Sequence, residues 1–376
     1  MESLKQKRWV LGAGLLAGAL LLQLGASRWP ALVEQAFARS FYSWLGGRLA
    51  CLTAWLPVSL AEMGLLGAGG FGLTRLARAL WMGRRPSATR LLEGISALPV
   101  IAGILYLTFL LLWGLNYQRQ PFAVSAGLEV RPSSVGELAS LCGVLVEEAN
   151  AARGGLPEDG AGVMCLADGP RHALLRTEAG FGAAAQRHAF LAVGCARPKP
   201  LLTSAALSWL GLTGIYSPFT GEPNVNMTLP DPELPFAASH EVAHQRGFAR
   251  EDEANYLGYL ACRLHPDPDF RYSGRLAASV YAMNALASRD RAAWQRLEAG
   301  RSAGVGRDLV ALVAWAESYR GPAERLSARV NDAYLRSQGQ AEGVESYGRV
   351  VDLLLAERRA SQPGSHTIAL CAAVSR

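Results

Sequence analysis

Three apolar stretches precede residue 117, and they constrain this chain more than any other feature. Trp9 to Ala26 carries no charge and follows Lys5, Lys7 and Arg8. It is long enough to cross most of a bilayer. A cleaved secretory leader has the same basic start and apolar run, but further apolar stretches follow, and a retained helix is expected. The second stretch runs from about Leu49 to Gly72 and contains one acid, Glu62. Its glycines, Gly64, Gly67, Gly69, Gly70 and Gly72, permit close helix packing. Glu62 is either functional or neutralised within a helix bundle. The third, Gly94 to Leu115, is uncharged and is followed by Tyr117; Trp113 and Tyr117 suit a membrane interface.

The charge distribution agrees. Up to residue 116 there are 11 Lys/Arg and 4 Asp/Glu, a net of +7, while the remaining 26 basic and 27 acidic residues nearly cancel. The excess therefore reads as membrane topology. No basic stripe and no aromatic–basic alternation suggests nucleic acid as a partner. The N-terminus and the loop holding Arg75, Arg78, Arg84, Arg85 and Arg90 belong in the cytoplasm by the positive-inside rule. In the other loop, Glu34 offsets part of Arg28, Arg39 and Arg48. Three crossings then place residues 117–376 outside the cytoplasm. The expected layout is a multi-pass, lipid-embedded region over 1–116, with spans at about 9–26, 49–72 and 94–115. An extracytoplasmic domain follows over 117–360, and a loose tail over 361–376.

Six cysteines are scattered without a CxxC pair: Cys51, Cys142, Cys165, Cys195, Cys262 and Cys371. A thiolate metal site is therefore not expected. Cys51 falls in an apolar stretch and reads as a packing residue. The other five leave room for one or two disulfides of unassigned pairing.

In the second half, Ser133 and Ser134 with Glu137 predict a capped helix from Val135 to Ala152. Gly154 to Gly162 is a loop, and Glu178 to Leu191 is a second helix candidate. Gly214, Pro218, Gly221 and Pro223 break up Gly211 to Met227, where Tyr216, Phe219 and Val225 suit short extended pieces. From Leu234 to about Arg359 the pattern is mainly helical.

The chemistry sits in the stretch from Ala237 to Tyr256. His240 and His244 are four apart, which puts both imidazoles on one helix face, close enough to share a zinc ion. Glu241 can reach a metal-bound water without ligating the metal. Zinc lowers the pKa of that water, and the carboxylate takes its proton. Pro235 and Ser239 offer a helix start, and Gly247 lets the chain turn afterwards. Catalysis needs a third protein ligand. Glu251 and Glu253 point roughly 160° apart on a helix, so only one of them can readily face the metal. The alternative is that Glu251, Asp252 and Glu253 merely decorate a helix N-terminus. His265 reads as a surface residue at a helix end. His172, His188 and His366 have no partner at ligand spacing.

The HEVAHQ stretch followed by EDEAN resembles the ExxA[D/N] arrangement of gluzincin-like peptidases, which include the CAAX prenyl proteases. That resemblance implies Glu251 as the third ligand and Asn255 as a residue supporting a histidine ligand. Only six residues separate His244 from Glu251, a shorter gap than usual, which keeps Glu253 in play. Arg250 stands where short-spaced zinc peptidases carry a third histidine. The whole chain resembles an uncharacterised bacterial membrane family, domain of unknown function 3810. The resemblance rests on Trp113 to Tyr117, Tyr216 to Asn226, the HExxH stretch, Asn331-Asp-Ala-Tyr334 and Tyr347-Gly-Arg349. It is near full length and implies no substrate.

Together these readings predict an α-helical membrane region of three transmembrane helices and a mainly α, zincin-like α+β metallopeptidase domain. The expected activity is hydrolysis of a protein or peptide by a Glu241-activated, Zn2+-bound water. A zinc-stabilised binding or assembly protein without activity is one alternative; a zinc hydrolase of cell-wall or lipid substrates is another. Tyr216, Glu222 and Asn224 lie in a candidate substrate-pairing strand, which could equally be a structural turn. Tyr347 or Arg349 is a candidate donor to the oxyanion.

Overall fold

The structure is a computed structural model that describes residues 2–82 and 88–362. Most of the expected tail, with His366 and Cys371, lies outside the described residues. Helix α1 spans Glu2–Ser27. A ten-residue π-helical segment, Val33–Tyr42, leads into α2, Ser43–Ala54. Helices α3, Leu60–Trp81, and α4, Ala88–Leu112, complete the N-terminal part.

Two helices are long and apolar enough to cross a membrane, Lys5–Ser27 and Gly94–Leu112. The expected second span is corrected: residues 49–72 do not form one helix. Pro57 falls in the break between α2 and α3, because proline removes a donor and its ring clashes within a helix. Ser59 then starts α3 by accepting a hydrogen bond from the Glu62 N–H. Arg75 and Arg78, with Glu62, put three charged residues within α3.

Helices α1 and α4 pack side by side in the same direction. A β-carbon on Gly12 would come within 2.5 Å of Pro99, and one on Gly103 within 2.7 Å of Leu15. Further along both helices, the Tyr106 hydroxyl donates to Gln23. Small residues at this seam let the backbones approach.

Residues 33–59 belong to the globular part in space, so the structure does not divide at residue 116. Glu34 accepts two hydrogen bonds from Arg119, at 2.8 Å each. The Lys199 ammonium donates to the Thr53 carbonyl at 2.8 Å and also to that of Leu56. Cys51 is disulfide-bonded to Cys195. Its reading as a packing residue is therefore corrected: the break at Pro57 ends its apolar stretch, and α2 docks on the domain instead of continuing.

The globular part is mainly helical. Helix α5, Val135–Arg153, opens with a full capping box between Ser134 and Glu137. Helix α6 is Pro170–Arg187, shifted toward the N-terminus from the expected Glu178 to Leu191 because Pro170 supplies the first turn. The extended pieces form a three-stranded sheet in the order β1-β3-β2, from β1 Lys199–Pro200, β2 Gly214–Ser217 and β3 Glu222–Val225. Strand β2 pairs antiparallel with β3, Gly214 opposite Val225, and lies at the sheet's edge. Helix α7, Leu234–Gln245, has every residue buried. Helices α8, Glu251–Leu264, and α9, Pro268–Arg289, pack around it. Val242, Phe248, Leu257, Leu260, Phe270 and Leu276 are all buried in this core, and each contributes about 1.5–3 kcal/mol through burial.

Candidate metal centre

Helix α7 ends at Gln245 because the chain reverses at Gly247, whose φ of +85° lies in the left-handed region. A side chain there is strained, and its β-carbon would fall 2.9 Å from the Tyr42 ring. The last-turn carbonyls of a helix need donors. Here the Trp113 indole donates to the His244 carbonyl at 3.1 Å, and the Tyr42 hydroxyl to that of Gln245 at 2.9 Å. Arg246 anchors the same end to Glu178 on α6. The reversal carries α8 back across α7. Gly258 allows the close approach, since a β-carbon there would meet the His240 backbone nitrogen at 3.1 Å.

This packing brings three donors together. His240 and His244 Nε2 lie 3.1 Å apart. Glu251 Oε2 lies 3.4 Å from the first and 3.6 Å from the second. Zinc–ligand bonds of about 2.0–2.1 Å at tetrahedral angles separate ligand atoms by about 3.3 Å. The donor set therefore fits a zinc ion without rearrangement. Among the described residues, these three form the one group of side chains disposed to hold a metal. His244 Nδ1 lies 2.8 Å from the Phe248 carbonyl, which leaves its Nε2 free for a metal.

Electrostatics support the same use. Burial pushes the Glu251 carboxyl up, but His244 and His240 outweigh it and hold that group well below the usual range. Burial lowers His244, yet Glu251 and Glu241 raise it to about 9. In the protein alone, a proton on His244 thus balances Glu251, and a divalent cation is chemically suited to replace it. Glu241 is buried beside the pair, and its Oε2 has no hydrogen-bond partner. Burial pushes its carboxyl up to about 7, against the pull of the two histidines. A β-carbon on Gly214 would fall 2.6 Å from Glu241 Oε1, so strand β2 presses directly on this carboxylate.

The other sequence candidates separate clearly. Glu253 faces away, accepting from the Phe122 N–H at 2.7 Å and from Arg250 at 3.0 Å; it is not in the donor set. Asn255 makes no hydrogen bond to either histidine. It donates to the Tyr347 carbonyl at 3.4 Å and is hydrogen-bonded to Tyr281. Tyr216 bonds to the Tyr42 hydroxyl at 3.1 Å. Glu222 accepts from the N–H groups of Leu60 and Ala61 at 3.0 Å, capping α3. The Asn224 amide donates to the carbonyls of Ile215 and Glu222. These three side chains build the site's frame. The Tyr347 hydroxyl accepts from the Asn331 amide at 3.4 Å; burial raises it, and the charges of Glu251 and then Glu241 add to this. Arg349 bonds to Glu342 at 3.1 Å on the surface. His265 is buried, not superficial, because it stacks on Phe270 at 3.9 Å.

Sequence reasoning missed Tyr42, Gly214 and Tyr281, and it read Trp113 as a membrane-interface residue. Trp113 is buried, with its ring edge-on to His244 at 5.9 Å. The run from Trp113 to Tyr117 was a usable signal, since an indole needs an acceptor wherever it is buried.

Residues 37–355 match the family model described as Protein of unknown function (DUF3810). No curated protein and no solved structure matches the chain.

Proposed function

The chain belongs to this family of unknown function, and we propose that it is a membrane-anchored zinc peptidase whose site faces away from the cytoplasm. The observation that carries the reading is the His240, His244 and Glu251 cluster, with donor atoms 3.1–3.6 Å apart and the buried Glu241 alongside. A zinc ion held there supplies Lewis-acid polarisation and makes water acidic enough to ionise near neutral pH. Glu241 Oε2 accepts the proton of the attacking water and returns it to the leaving amine. The Tyr347 hydroxyl donates to the oxygen on which charge develops.

A peptide substrate is favoured by strand β2. The Thr213 carbonyl accepts from the Asn226 N–H within the sheet, so alternation turns the main-chain groups of Gly214 and Tyr216 toward the side of β2 that no strand of the sheet pairs. An extended peptide can pair there, next to Glu241. A purely structural zinc site has no use for a buried base, which argues against an inactive assembly protein. Zinc analysis of the full-length protein, with cleavage of unstructured peptides by wild type and Glu241→Gln, tests the reading. Absence of bound zinc, or equal cleavage by both forms, overturns it.

The topology rests on a separate argument. Because α1 and α4 run in parallel, the chain must return across the membrane between them. Helix α3 is suited to that return. Its 22 residues span about 33 Å, and Leu65, Phe71, Leu73 and Leu80 are all more than 60% exposed. Its N-terminus is tied to the domain through Glu222, and Glu62 accepts from the N–H groups of Leu202 and Thr203. The Cys51–Cys195 disulfide suits an oxidising compartment.

A further inference from the structure

We infer that the cavity at the break between α2 and α3 binds a phosphate group, the phosphodiester of a phospholipid in the extracytoplasmic leaflet. The cavity measures about 160 Å³, and its lining includes Leu56, Pro57, Arg171, Leu175, Arg197 and Lys199. The inference rests on α3 as a membrane crossing and is independent of the zinc site. Leu56 precedes the first residue of α3, Leu60, by at most about 14 Å of chain, which puts the cavity close to headgroup level. Trp55 is 85% exposed, as suits an anchor at the membrane interface. It borders a wider hollow that shares Leu175 and Arg197 with the cavity. The exposed side chains of Leu60 and Leu65 continue along α3, where acyl chains can lie.

What marks the cavity as an anion site is charge without a counter-ion. Lys199 is 1% exposed, and a buried charge is costly unless paired. Its ammonium donates to the carbonyls of Thr53 and Leu56, and Arg197 donates to that of Ala54. These carbonyls lie at or just past the end of α2, and a helix C-terminus supplies only about half an elementary charge. Among the described residues, Lys199, Arg197 and Arg171 form no ion pair with a carboxylate, and no acid lines the cavity. Other buried cations are matched: Arg119 by Glu34, Arg153 by Asp308, Arg246 by Glu178. The nearby acids are engaged elsewhere. Glu222 accepts from the N–H groups of Leu60 and Ala61. Glu178, beside the wider hollow, accepts from Arg246 and the Ala196 N–H. Arg171 stands in the first turn of α6, which no side chain caps. A cation is unfavourable at that end of a helix, and an anion is favourable. One phosphate answers all of these positive charges, through the charge-assisted hydrogen bonds to which arginine is best suited.

The test uses full-length protein in detergent, stripped of lipid. The probes are phosphatidylglycerol, diacylglycerol with the same chains, and inorganic phosphate. Binding is read by native mass spectrometry and by the rise in melting temperature that a ligand of the folded state produces. The expected result is saturable binding of phosphatidylglycerol, about tenfold or more tighter than that of diacylglycerol. Arg171→Gln, at an exposed position, weakens phosphatidylglycerol binding while the lipid-free protein melts as before. Adding Arg197→Gln brings the ratio between the two lipids to one. Equal binding of both lipids by wild type, or a preference unchanged in both variants, overturns the inference. Displacement of the lipid by an equal concentration of inorganic phosphate assigns the site to a free anion and overturns the lipid as ligand. A phosphate preference that persists in a protein whose α3 does not cross the membrane overturns the topology alone.

Discussion

Gly214 and Glu241 are in such close contact that a β-carbon on the glycine would sit 2.6 Å from the carboxylate oxygen. The strand and the proposed base are therefore positioned against each other. Gly214→Ala should keep its zinc and lose activity by about 100-fold, the effect of a displacement near 1 Å. Zinc content and peptide turnover measured on the same preparation check this. Unchanged turnover would show that the contact has no catalytic consequence.

Glu251 and Glu253 should respond differently to truncation. Glu251→Ala should lower zinc affinity by more than the roughly 10- to 100-fold that removal of an outer hydrogen-bond partner costs. Glu253→Ala should keep the metal and lose about 1–3 kcal/mol of stability, because it strands the Phe122 N–H and Arg250. Competitive chelator titration and thermal melts separate the two outcomes.

Topology is open to direct labelling. A cysteine introduced within residues 83–87 should react with a membrane-impermeant reagent from the cytoplasmic side only. One at Gly160, in an exposed loop, should react from the opposite side only. Labelling of both from one side would remove α3 as a crossing.

Joint replacement of Cys51 and Cys195 by serine should destabilise the domain by about 2–5 kcal/mol, since the bridge closes a long loop. The two are 144 residues apart in sequence. Reductant added to the wild type should lower its melting temperature comparably.

Acid should weaken the junction at Glu34. Burial pushes that carboxyl up, but Arg119 and Arg39 outweigh it, leaving the group below its ordinary value. A depressed folded-state pKa contributes stability above the unfolded value, near pH 4.3, which is lost as pH falls through the folded value. Melting temperatures measured from about pH 5 downward should fall less steeply in Glu34→Gln than in the wild type. Parallel curves would assign the acid sensitivity elsewhere.

Much of the centre was legible before any fold was known. His240, Glu241 and His244 were readable because a four-residue spacing has one meaning on a helix. Glu251 was favoured only through resemblance, and the alternative of Glu253 closed once the turn at Gly247 fixed how α8 crosses α7. Tyr216, Glu222 and Asn224 stand out in the sequence as a candidate substrate strand, and in the structure their side chains hold Tyr42, the start of α3 and strand β2. The main chain of Gly214 and Tyr216 forms the proposed binding edge, and no residue-type pattern reports on which main-chain groups lie at the edge of a sheet.

The sequence by itself determined the local properties of this protein: two strongly apolar helices, the capped helix at Ser134, and two imidazoles on one face. Each depends on residues within a few turns of one another. Tertiary structure alone decided that 49–72 is divided at Pro57, that Cys51 meets Cys195, and that Trp113 and Tyr42 donate to the last carbonyls of α7. Those outcomes depend on which distant groups satisfy buried hydrogen-bonding atoms and charges. That requirement applies to the assembled interior and leaves no periodic trace along the chain.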